Sequence, residues 1–193
     1  MDGGAGSGPP FPYPAHMRAM AQGAGKGRQM EKPRVLLLGV GNILLGDEGF
    51  GVAAVNRLER EYAWPDNVRL LDGGTLGLFL MPDIMDSDLV VVLDVVLGPG
   101  APGTVYLLEG EDLRKSLSFR DSTHQTDLVD TLISCGLAGH RPDAFLIGIQ
   151  PGDWQTLSPD LTPALEAKLP EFCAKVVAEL GRRGITATPR PAA

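Results

Sequence analysis

The chain has 193 residues, a mass of 20.5 kDa and 17 basic against 24 acidic residues, for a formal net charge of −7. That size suits one domain with a core that needs no disulfide or structural metal, and the acidic balance, with no Lys/Arg cluster long enough to follow a phosphate backbone, argues against a nucleic-acid partner. The longest apolar runs are of strand length and broken by Asp or Gly, far short of the roughly 20 residues of a bilayer-spanning helix, so no membrane insertion is expected.

Residues 1–33, rich in Gly, Pro, Ala and Met, offer little to bury and read as a disordered N-terminal extension. The extension has neither an apolar signal core nor a twin-Arg signal, which points to a cytoplasmic protein. Met30 is a candidate translational start, and His16 is assigned no role. Cys135 and Cys173 lack metal or redox spacing and read as ordinary thiols of a cytosolic protein. The globular domain is expected over 34–185, with a flexible tail at 186–193.

Val35-Leu36-Leu37-Leu38 is a short apolar run left through Gly39 and Gly41, the pattern of a parallel strand buried on both faces. Val52, Val55, Leu58 and Tyr62 then recur at helical spacing, with Asp47 as a plausible N-cap. Asn42 to Gly51 is therefore a strand-to-helix loop carrying the adjacent carboxylates Asp47 and Glu48. A second strand, Val68 to Leu71, ends at Asp72-Gly73-Gly74-Thr75, and Leu76 to Met85 reads as a short helical segment. Leu89 to Leu93 is the most apolar strand and runs straight into Asp94, which puts that acid at the carboxyl edge of the sheet.

Gly98 to Gly103 is a turn, Thr104 to Glu109 an edge strand, and Arg114 to Ser122 a polar, irregular stretch. His124 opens the next helix, capped by Ser122 or Thr123, with Leu128, Val129, Leu132, Ile133 and Leu137 as its stripe. Ala144 to Ile149 is a further strand leading to Gln150-Pro151-Gly152. A last helix from Thr162 to Arg182 turns Leu165, Leu169, Phe172, Val176 and Leu180 inward. Alternation of this kind predicts an α/β three-layer sandwich: a mainly parallel twisted sheet of about five strands with helices on both faces.

The start Gly39-Val40-Gly41-Asn42-Ile43-Leu44 looks like a dinucleotide fingerprint, but Leu44 stands at its third glycine position and the loop is acidic where a pyrophosphate would sit. There is no GxxxxGK[ST] loop and no GxSxG elbow. Adjacent Asp47 and Glu48 point in different directions, so one is free to cap a helix while the other faces the crevice. If Glu48, Asp94 and His124 converge, they form a hard-to-borderline ligand set suited to Zn, Ni, Fe or Mn, with positions left for water or substrate. The plain structural alternative is that Asp94 holds loop amides and His124 is an ordinary first-turn residue. Asp72 has its own structural explanation, because Asp-Gly-Gly-Thr is good turn chemistry.

The stretch from Gly39 to Val52, GVGNILLGDEGFGV, closely resembles the start of the NiFe-hydrogenase maturation endopeptidases. Asp72-Gly73-Gly74-Thr75, Asp94 after its aliphatic strand, and Thr123-His124-Gln125 resemble the later signatures of that family in the same order. The resemblance runs from about Val35 to Arg183; the extension at 1–33 departs from it. It implies a protease that removes a C-terminal extension from the precursor of the hydrogenase large subunit once nickel has been inserted. It also implies metal ligation by Glu48, Asp94 and His124, catalytic roles for Glu48, Asp94 and, in support, Asp72, and nickel brought by the precursor. The free protein is expected to be a monomer. Two rival readings remain: a non-catalytic nickel-sensing maturation chaperone with the same ligands, and a nucleotide-binding domain.

Overall fold

The computed structural model describes residues 32–113 and 123–191, the side chains of 123–127, 129 and 130 excepted. Residues 1–31 of the expected extension, with His16 and Met30, lie outside the described residues, as do the polar stretch 114–122 and the side chain of His124.

A five-stranded sheet organises the domain. It consists of β1 (Val35–Val40), β3 (Val68–Gly74), β4 (Leu89–Val95), β5 (Val105–Glu109) and β6 (Asp143–Ile149), in the order β3-β1-β4-β6-β5. β3, β1, β4 and β6 are mutually parallel, and only β5 runs antiparallel, on the edge beside β6. Every residue of β1 and β4 is buried, as apolar strands covered on both faces require.

Alternate residues go to opposite layers. Val35, Leu37, Val91, Leu93 and Ile147 pack on one side with α1 (Phe50–Glu61) and α4 (Pro163–Arg182), where Phe50 meets Phe172 edge to face at 5.0 Å. Leu36, Leu38, Val90, Val92 and Leu146 pack on the other with α2 (Met81–Met85) and α3 (Thr123–Leu137). Each core is thus built from the 2-residue period of the strands meeting the 3.6-residue stripe of the helices, as expected from the sequence.

Four boundaries differ from expectation. The first helix is preceded by a separate 3-10 turn, Gly46–Gly49, and a second 3-10 turn, Gly77–Leu80, precedes α2. β4 runs one residue beyond the expected carboxylate end, to Val95, with Asp94 in register with Gly148. The expected C-terminal tail is partly paired: β7 (Thr188–Pro189) runs antiparallel to β2 (Tyr62–Ala63), and the Arg190 N–H donates to the Glu61 carbonyl at 2.8 Å. Strands of two residues carry no periodicity by which a sequence could announce them.

Candidate functional site

The chain leaves β1 toward β3 on one side and later enters β4 on the other, so the strand order reverses between β1 and β4. A crevice opens at such a switch point, beyond the carboxyl ends of the two strands. Both lead into acids: β1 into the turn carrying Asp47 and Glu48, β4 into Asp94.

Two glycines allow that turn to lie against the strands. Gly41 has φ +133°, and a Cβ there would stand 1.8 Å from the Glu48 carbonyl oxygen. A Cβ on Gly51 would stand 2.2 Å from the Leu93 carbonyl oxygen and 2.4 Å from that of Val40. Backbone-to-backbone approach of this kind admits only glycine. A Cβ on Gly39 would stand 2.4 Å from the Gly51 carbonyl oxygen, so the spacing that imitates a dinucleotide fingerprint reflects packing of the 3-10 turn and the first helix against the end of β1, while Gly51 brings the start of that helix against the end of β4.

Glu48 is 4% exposed and Asp94 2% exposed, two carboxylates withdrawn into the same end of the sheet. Asp94 Oδ1 accepts the N–H of its neighbour Val95 at 2.7 Å. Carboxylate oxygens are in general ligands for hard divalent cations and acceptors for the proton of a water. Asp47, fully buried, does something different. It makes no side-chain cap to its own helix, which corrects the expected N-cap, and accepts instead from Gly152, Asp153 and Thr162. Those partners lie more than a hundred positions away, so no local pattern announces them.

For His124 only the backbone, at the start of α3, is described. Beyond α3, the His140 ring Nε2 lies 2.7 Å from the carbonyl oxygen of Ser87, which precedes β4. The C-terminal end of α3 is therefore at the amino edge of the sheet. Its 15 residues span about 22 Å, long enough to reach from the amino edge to the carboxyl edge of the sheet. Asp72, near the end of edge strand β3, is exposed; its Oδ1 accepts the Gly74 N–H at 3.1 Å and its Oδ2 the Asn56 amide at 3.4 Å. The turn chemistry read from Asp-Gly-Gly-Thr is thus present.

Neither cysteine suits nucleophilic work. Cys135 and Cys173 are buried, and burial raises both thiols, Cys173 to about 12, so both stay protonated at neutral pH. Iodoacetamide is expected to leave the mass and the proteolytic activity of the folded protein unchanged; alkylation with loss of cleavage would restore thiol chemistry to consideration.

The fold and site define a doubly wound α/β domain with two buried carboxylates at its switch point, an architecture that by itself leaves the chemistry open. Comparison with known proteins narrows the class. The model of the HycI family, described as hydrogenase maturation protease, matches residues 52–179. The hydrogenase 2 maturation protease of Escherichia coli is 39% identical over 163 residues, 82% of this chain and 98% of that protein. The hydrogenase expression/formation protein HupM of Azotobacter chroococcum is 38% identical over 160 residues, 82% of this chain and 77% of its own. The solved structure of the hydrogenase maturating endopeptidase HybD from Escherichia coli superposes with a TM-score of 0.76 at 38% identity, covering 81% of this chain and 98% of that one. The chain belongs to the hydrogenase maturation protease family. It is a protease, and among the described residues no helix is long and apolar enough to cross a membrane.

Proposed function

We propose that this protease removes the C-terminal extension of the NiFe-hydrogenase large-subunit precursor, and that it acts only after the precursor has received nickel. The observation that carries the reading is the pair Glu48 and Asp94, buried together at the switch point of a maturation-protease fold. Two carboxylates and the imidazole of His124 leave part of a nickel coordination sphere open. Precursor thiolates, softer donors, suit the remaining positions, so a nickel ion already held by the substrate bridges the two proteins. Loading then becomes the condition for productive docking, and the ion is cargo of the substrate.

The cut itself needs a water oxygen to attack the scissile carbonyl carbon, the C–N bond to break, and a proton to reach the leaving amine. A carboxylate of the crevice takes the proton from water and later returns it to nitrogen. The bound ion supplies carbonyl polarisation or water activation. Asp72, on the neighbouring strand end, is the supporting acid.

The surroundings favour a protein substrate. Ile43, Leu44, Leu76, Phe79, Leu97 and Leu157 are all exposed, Phe79 by 83%. They follow β1, β3 and β4 or, for Leu157, adjoin Ser158, whose N–H donates to the Leu44 carbonyl at 2.9 Å. An apolar rim around an acidic crevice fits a large partner.

The test is incubation with precursor in nickel-loaded and nickel-free form, followed by intact mass. Loss of one C-terminal peptide from the loaded form alone is expected. Equal cleavage of both forms would remove nickel from recognition, and a stable complex without cleavage would return the chaperone reading.

A further inference from the structure

Asp47 and Glu48 are neighbours with unlike surroundings. The Asp47 carboxylate is 0% exposed and takes four hydrogen bonds. Oδ1 accepts the Thr162 N–H at 2.7 Å; Oδ2 accepts the N–H of Gly152 at 2.8 Å, the N–H of Asp153 at 2.9 Å and the Thr162 hydroxyl at 3.0 Å. The Asp47 N–H in turn donates to the Asp153 carbonyl at 2.9 Å, and the Gly46 N–H to that of Ser158 at 2.8 Å. Thr162 is the N-cap residue of α4, yet its hydroxyl caps nothing in that helix and goes to Asp47 instead. The 3-10 turn bearing Glu48 is thereby fastened to the segment that follows β6.

We infer that Asp47 is a positioning residue of the site: its clamp on Gly152, Asp153 and Thr162 fixes the turn so that Glu48 is held in the crevice beside Asp94. The inference deepens the proposed function, since it rests on Glu48 as a metal contact. Four residues of 3-10 turn have too few internal hydrogen bonds to hold one side chain still, and ligand sites need rigid support to reach full affinity. All four of the groups that Asp47 meets are donors. Asp47→Asn keeps the shape but turns an amide N–H2 toward at least one N–H, so the clamp loosens without loss of volume.

The test measures Ni²⁺ binding to the free protein by calorimetry, below the unfolding temperature. Asp47→Asn is expected to weaken binding by about 10-fold or more, the scale seen when a residue supporting a metal ligand is lost. Thr162→Val, which deletes one donor and keeps the N–H, gives a smaller loss and remains informative if Asp47→Asn does not fold. Val176→Ala, a cavity in the α4 core away from the clamp, lowers stability and must leave Ni²⁺ affinity and processing unchanged. Wild-type affinity in folded Asp47→Asn and Thr162→Val overturns the inference. Should Glu48→Gln bind Ni²⁺ as the wild type does, the ligand reading has failed; kcat on loaded precursor then decides the positioning claim, which stands if Asp47→Asn loses about 10-fold where Val176→Ala does not, and falls if both match the wild type.

Discussion

Glu48→Gln is expected to abolish processing of the loaded precursor while the protein stays folded. The substitution keeps the size of the side chain and removes the one property the site needs, a negative oxygen pair for a cation or a proton. A transition-state contact of about 4 kcal/mol corresponds to roughly a thousandfold in rate, so residual cleavage falls below what intact-mass analysis detects over wild-type incubation times. Stability is expected to hold, because one negative charge leaves a crevice that keeps Asp94, both acids being nearly inaccessible to water. His124→Ala is expected to give the same loss. The check pairs the processing assay with thermal melting: normal cleavage by a folded Glu48→Gln protein would place the chemistry elsewhere, and a large drop in melting temperature would make Glu48 a structural residue.

The places of the candidate acids in the fold were legible because they sit where the chain changes state. Asp94 ends an uninterrupted aliphatic run, and such a run has one reading in an α/β alternation: a strand covered on both faces, its last residues at the edge where ligands gather. Glu48 was placed by the strand before it and the helical stripe after it. His124 was placed at the start of a helix that the described backbone bears out.

What the sequence did not disclose depends on distant partners. The cap expected of Asp47 follows from local spacing, but the residues that claim its carboxylate lie 105 to 115 positions downstream, beyond any helical or strand period. The strand pair β2 and β7 is invisible for the same reason. The sequence set the nucleotide reading aside because of Leu44 and the acidic loop, but it did not show what Gly39 and Gly41 are for: they lie against the Gly51 and Glu48 backbone. A fingerprint for nucleotide and a fingerprint for tight helix-on-strand packing share the same first letters, because both need a missing Cβ.

Gly51→Ala follows from that packing and is expected to disrupt the domain strongly for a single added methyl. The added carbon would meet the Leu93 carbonyl oxygen at 2.2 Å and the Val40 carbonyl oxygen at 2.4 Å. Both are main-chain atoms of central, fully buried strands, so neither can rotate away as a side chain would. Relief requires that the start of α1 move off the sheet, which opens the contact of Phe50 with Phe172 and the layer beneath it. Overpacking in a dense core costs about 1–3 kcal/mol and more where only backbone can yield; at about 2–4 °C per kcal/mol for a domain of this length, the melting temperature should fall by roughly 10 °C. Because Leu93 precedes Asp94 and Gly51 follows the Glu48 turn, the same displacement separates the two carboxylates. Gly51→Ala should therefore lose processing even at temperatures where calorimetry shows it folded. A melting temperature within about 2 °C of the wild type, with full processing, would mean that the helix tolerates a shift the backbone distances forbid.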